Sequence, residues 1–153
     1  MIVISIPVKP HVKKYLIKRY GESHTITKKT FLGVFVSGLL HKKIEKQDYE
    51  TNGFEKFNFS ISTDFLYKKG HTISIHHKKY IGRCFEMLFF EDFYIFVDNE
   101  LLKPSGNALK AVKLFLKSYN LTENELKLDS MYRNYQRYCG EKIKEKKKCL
   151  SKI

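Results

Sequence analysis

Phe85-Glu86-Met87-Leu88-Phe89-Phe90-Glu91-Asp92-Phe93-Tyr94-Ile95-Phe96-Val97 is too apolar around its circumference, wound as a helix, to lie on a surface. Such a segment is a core helix or an oligomer interface. Its apolar part, Met87 to Val97, is interrupted by Glu91 and Asp92 and falls far short of the ~18 to 20 residues that a membrane span needs. Thr72 or Ser74 stands where an N-cap belongs, and Pro104, Ser105 and Gly106 end the run, so the pattern predicts one long helix reaching Leu102. The rings would also make an aromatic platform for bases, but Glu86, Glu91, Asp92 and Asp98 would repel phosphates along the same helix.

Upstream, Ile2 to Val8 is rich in β-branched residues and closes at Pro7 and Pro10, which stop a strand and suit a helix start. Val12, Tyr15, Leu16 and Arg19 then recur at helical spacing, Lys13, Lys14 and Lys18 share the other side, and Gly21 is a natural C′ residue. A second helix follows Thr27 or Thr30 and covers Phe31 to Leu40, with Gly33 and Gly38 permitting close packing and His41-Lys42-Lys43 at its negative end. After the turn signal Asn52-Gly53, Phe57 to Ser62 alternates with period two and pairs with the first strand. A short helical turn over 64–69 stops at Gly70. Ala108 to Tyr119 reads as a helix with Leu109, Val112, Leu116 and Tyr119 on one side, closed by Asn120. The class is α+β, mostly helical, with a small two-stranded sheet. Residues 1–103 form an N-terminal core and dimerisation region, 104–140 a C-terminal unit and 141–153 a basic tail.

Among 153 residues, 29 Lys and Arg face 16 Asp and Glu, a net charge of +13, which makes polyanions the first partner class. The excess is segregated: residues 1–53 carry 10 basic and 4 acidic side chains, 54–103 carry 7 and 7, and 104–153 carry 12 and 5. Only Arg19, Arg83, Arg133 and Arg137 are arginines. Lysine neutralises phosphate as a point charge and reads base edges poorly. Abundant Lys, Ile, Phe, Tyr and Asn with few Ala and no Trp is also what AT-rich coding drift produces, so compositional drift competes with binding as the source of the charge.

Phe115-Leu116-Lys117-Ser118-Tyr119-Asn120-Leu121-Thr122-Glu123-Asn124-Glu125-Leu126-Lys127-Leu128-Asp129-Ser130-Met131-Tyr132-Arg133-Asn134-Tyr135-Gln136-Arg137-Tyr138 reads as helix, turn, short helix, turn, helix. Thr122 and Glu125 make a capping box for the short helix, and Asp129 or Ser130 caps the last one. Met131, Tyr135 and Tyr138 fall on one face, while Arg133, Asn134, Gln136 and Arg137 fall elsewhere and suit guanine and adenine edges. The segment resembles a helix-turn-helix unit over about 30 residues, with a nearly single-turn middle helix and a turn that lacks Gly. The resemblance implies that Ser130 to Cys139 enters a major groove and that Leu126, Leu128 and Met131 hold the preceding helix. The DNA-contacting set is then Ser130, Arg133, Asn134, Gln136 and Arg137, extended by Lys142, Lys146, Lys147 and Lys148 of the tail. More weakly, the N-terminal strand, helix and helix resemble ribbon-helix-helix repressors, although Ser5 alone is polar on the outward series Val3, Ser5, Pro7.

No GxGxxG, Walker loop, GxSxG or HExxH occurs, so no catalytic, cofactor or metal residue is assigned and the protein is not read as an enzyme. His71, His76 and His77 lack ligand spacing, and Cys84, Cys139 and Cys149 are odd in number without CxxC. Met1 leads straight into an Ile-Val-Ile-Ser-Ile alternation without a targeting pattern, so a cytosolic protein without membrane attachment is expected. In overall style the chain resembles small basic proteins of phages and mobile elements. The reading is a nucleic-acid-binding protein, a homodimer or higher oligomer that prefers duplex DNA to RNA and regulates transcription. The alternative is a structural protein of a nucleoprotein or virion assembly that neutralises charge without reading sequence.

Overall fold

The computed structural model describes residues 2–22, 24–40, 53–63, 70 and 72–150. The fold is α+β and mostly helical. Its elements run β1 (Ile2–Val8), α1 (Pro10–Tyr20), β2 (His24–Ile26), α2 (Phe31–Leu39), β3 (Glu55–Ile61), α3 (Ile75–Leu101), α4 (Ala108–Ser118) and α5 (Leu128–Leu150). They divide into two compact units, residues 1–89 and 90–153. The division falls inside α3, before the 103/104 position read from Pro104. Proline ends the helix, but each core takes a share of the helix's Phe residues.

In the first unit β1 pairs antiparallel with β3, placing Ile4 opposite Phe59 and Ile6 opposite Phe57. These four and Ile61 are buried on one face of the pleat. On the other face the Ser5 hydroxyl donates to Asn58 Oδ1 at 2.7 Å. The predicted pairing is present, and its alternation places the side chains as period two requires. The sheet nevertheless has three strands, in the order β1-β3-β2. β2 adds parallel to β3, with His24 opposite Phe59 and Ile26 opposite Ile61. Three residues are too few to display an alternation. Pro10 opens α1 and Gly21, at φ 84°, closes it. Val12, Tyr15 and Leu16 are buried, and Tyr15 meets Phe89 edge-on at 5.5 Å. At roughly 1.5–3 kcal/mol per fully buried large apolar side chain, Tyr15, Leu16, Phe57, Phe59, Ile61 and Phe89 form the principal stabilising cluster.

Two glycines here are close approaches. A Cβ on Gly82 of α3 would stand 2.4 Å from the Pro7 carbonyl oxygen, and one on Gly33 of α2 would stand 1.7 Å from that of Thr27. Gly38 has open space instead, so only one of the two α2 glycines serves packing. Thr30 is the α2 cap, its Oγ1 accepting from Gly33 N–H at 3.1 Å. Ser74 caps α3, accepting from His77 N–H at 3.2 Å. The sequence readings over 41–52 and 64–69 lie outside the described residues.

The second unit packs the end of α3 with α4 and α5. Phe93, Val97, Ala111, Val112, Phe115, Leu116, Met131 and Tyr135 are buried. Phe93 sits edge-on to Phe115 at 5.1 Å and to Tyr135 at 6.4 Å. Asn107 caps α4 by accepting from Lys110 N–H at 3.0 Å, and Asn120 adopts the left-handed conformation, φ 51°, that ends it. The buried face of α4 is Ala111, Val112, Phe115 and Leu116, whereas Leu109 is 41% exposed. The larger Phe115 surface turns the helix from the predicted face.

Candidate nucleic-acid interface

The C-terminal segment differs from its sequence reading at three places. Residues 122–126 form a turn, not a helix. Glu125 accepts from the Thr122 backbone N–H at 2.9 Å and from its hydroxyl at 3.0 Å, while the Thr122 carbonyl accepts from Glu125 and Leu126 N–H, each at 3.0 Å. The Glu125 half of the capping box forms, its carboxylate on the Thr122 N–H, but too few residues follow to repay helix nucleation. The next helix starts at Leu128, so Asp129 lies in its first turn and neither Asp129 nor Ser130 is its cap. That helix then runs unbroken to Leu150, joining the predicted recognition segment and the predicted tail into one element about 35 Å long.

One face of α5 is anchored. Met131 and Tyr135 are buried, and the Tyr138 ring stacks on Tyr94. Tyr135 donates its phenol proton to Asp98 Oδ1 at 2.6 Å, and Lys142 donates to Asp98 Oδ2 at 2.8 Å. The Lys142 ammonium also lies 4.5 Å from the Tyr138 ring centroid. Burial opposes the charge on Asp98, but the hydrogen bonds from Lys142 and Tyr135 outweigh it and hold the carboxyl below its ordinary pKa. The same contacts raise their donors: the bond to Asp98 raises Lys142, and burial followed by the Asp98 bond raises Tyr135. Tyr94 donates to Asn134 Oδ1 at 2.7 Å, and burial chiefly raises its phenol. Asn134 and Lys142 are thereby turned to partners within their own unit.

The other seven predicted contact residues are exposed: Ser130, Arg133, Gln136, Arg137, Lys146, Lys147 and Lys148. At 100° per residue, Arg133, Arg137, Lys144, Lys147 and Lys148 fall within an arc of about 100° roughly opposite Met131 and Tyr135. Asp129 is the carboxylate on that arc, and it pairs with Arg133 at 2.9 Å between largely exposed side chains. Such a pair is weak and exchangeable. Lys144 is the member that sequence reasoning missed. The sequence reading ends the recognition segment at Cys139 and sets 141–153 apart as a tail, whereas the helix continues through Gly140, and continuing the wheel past it finds the residue.

An open cleft of about 550 Å³ near the end of α4 is lined by Lys113, Leu116, Lys117, Asn120, Leu121 and Glu123, among others. Among the described residues, no three His, Cys, Asp or Glu side chains are grouped to hold a metal ion, and no helix is long and apolar enough to cross a membrane. Compared with protein-family models, curated proteins and solved structures, the chain matches none.

Proposed function

We propose that the protein binds nucleic acid, duplex DNA in the first instance, through the outward face of α5. The observation that carries this reading is the basic arc Arg133, Arg137, Lys144, Lys147 and Lys148 on a helix whose opposite face is fixed by Met131, Tyr135 and Tyr138. A single helix fits a major groove. Arg133, Gln136 and Arg137 are the base-edge candidates, and Lys144, Lys147 and Lys148 are the phosphate candidates. Asn134 leaves the contact set because its amide oxygen is taken by Tyr94. A regulator of phage or mobile-element type, acting as a dimer with two half-sites, is the form of this function that α5 would serve.

Lysine dominance along the second half of α5 favours a second reading, a structural component that neutralises polyanion charge without reading sequence. One experiment separates the two: binding of the full chain to random duplex DNA, and to fragments selected from a randomised pool, across a salt series. Enrichment of one sequence is the outcome expected of a regulator. Strong, salt-steep and sequence-blind binding supports the structural component. Absence of binding at low salt removes both and leaves the charge as compositional drift.

A further inference from the structure

A second surface, in the first unit, has different chemistry. Phe31 and Phe35, one turn apart on α2, hold their rings 3° from parallel with centroids 6.1 Å apart, and Tyr80 of α3 continues the row 6.1 Å from Phe35 with its ring tilted by 43°. Phe31 is 79% exposed and Tyr80 52% exposed. Val34, also exposed, and Gly38, which has no neighbour within 4 Å of its would-be Cβ, complete the outer face of α2. Two exposed rings joined through a half-buried third are the reverse of what apolar burial produces, and they are distinct from the Phe85, Phe89 and Phe93 series, which is buried.

The surroundings of the row are cationic. Lys28 and Lys29 directly precede the α2 cap, and Lys79 and Arg83 flank Tyr80 on α3; all four are exposed. Among its described residues the first unit carries eleven Lys and Arg against three carboxylates. Two of those three, Glu86 and Glu55, are paired with Lys9 at 2.6 Å and Lys13 at 2.9 Å. A second copy docking through the same face would bring like charges together. A lipid surface would use the apolar area but not the parallel planes of the Phe31 and Phe35 rings. An extended polyanion with flat stackable groups uses both features, since single-strand binders combine basic surface with successive aromatic faces.

We infer that Phe31, Phe35 and Tyr80 form a stacking platform for the bases of single-stranded nucleic acid, with Lys28, Lys29, Lys79 and Arg83 placed for its phosphates. The site is separate from α5 and takes another form of the ligand. It stands if the duplex-binding reading fails.

The test uses the full chain and a fluorescein-labelled oligothymidine of about twelve nucleotides, an abasic strand of equal length, and a duplex. Phe31→Ala and Tyr80→Ala remove exposed rings, so thermal melting is expected to be unchanged. Each is expected to weaken oligothymidine binding about tenfold while leaving abasic-strand and duplex binding unaltered. Phe31→Leu keeps apolar area without a π face and is expected to behave like Phe31→Ala. Equal affinity of the unaltered protein for oligothymidine and the abasic strand overturns the platform, as does full activity of Phe31→Leu. So does a patch whose alanine variants lose only self-association or adsorption to anionic phosphatidylglycerol vesicles. Loss of duplex binding on changing the α5 lysines, with oligothymidine binding still ring-dependent, leaves the platform in place.

Discussion

The rings of Tyr94 and Tyr138 lie face to face, 4.0 Å between centroids and 5° between planes. This contact ties the middle of α5 to α3, and Tyr94 adds a second link through its hydroxyl, donated to Asn134 one turn earlier on the same helix. Aromatic pairs contribute about 0.5–1.5 kcal/mol beyond the area they bury. Tyr138→Ala is therefore expected to lower stability to chemical denaturation by about 1–2 kcal/mol, and Tyr94→Phe, which keeps the stack, by about 1 kcal/mol for the lost hydrogen bond. A double-mutant cycle on the two tyrosines that returns no coupling energy would refute the stacking contribution.

Asp98 is expected to govern acid sensitivity in the same unit. Its carboxyl lies below its ordinary pKa in the folded protein because the bonds from Lys142 and Tyr135 overcome the cost of burial. A depressed carboxylate contributes stability that is fully present above the unfolded value, near 3.9, and is lost as pH falls through the folded value. Asp98→Asn should flatten the stability profile below about pH 4 and lower the thermal midpoint modestly at neutral pH, because the Asp98 and Lys142 side chains are partly exposed and such pairs are screened. A profile parallel to that of the unaltered protein would show that other carboxylates dominate the acid limb.

Gly82 and Gly38 make opposite predictions from one kind of substitution. Alanine at Gly82 would set a methyl group 2.4 Å from the Pro7 carbonyl, and neither backbone can move without disturbing the β1–α3 packing. A loss of about 1–3 kcal/mol is expected. Alanine at Gly38 meets nothing within 4 Å and removes the helical cost of glycine, so a gain of about 0.5–1 kcal/mol is expected. Urea denaturation of the two variants checks both signs.

Elements that declare themselves by periodicity and punctuation were legible in the sequence. The alternation of Ile2 to Val8 against Phe57 to Ile61, the Pro10 start and Gly21 end of α1, and the left-handed Asn120 all appear where local chemistry put them. What escaped depends on tertiary context. β2 is three residues long and exists because the β3 edge accepts it. The α4 face turns on how Phe115 packs against Phe93 and Phe96. In α5 the helix runs through Gly140 and joins what reads as two segments: one glycine costs a helix about 1 kcal/mol relative to alanine, which the good helix formers Glu141 to Lys148 can absorb. For the same reason the candidate site was legible as residue types but not as geometry. Nothing local reveals that Asn134 is occupied by Tyr94 and Lys142 by Asp98.

That distinction between lysines yields the sharpest prediction for α5. Lys142 donates to Asp98 and lies over Tyr138, so Lys142→Gln should lower the thermal midpoint while changing duplex affinity little. Lys144, Lys147 and Lys148 lie on the outward arc, and replacing all three with Gln should leave the midpoint nearly unchanged. If each neutralises one phosphate, the slope of log affinity against log salt should become shallower by about 2.7. Arg133→Ala and Arg137→Ala should cost about 1–3 kcal/mol on a selected sequence and less on random DNA if they reach base edges. Equal losses on both would make them phosphate contacts, and a Lys142→Gln effect on the slope as large as that of Lys144 would mean that Lys142 exchanges Asp98 for phosphate on binding.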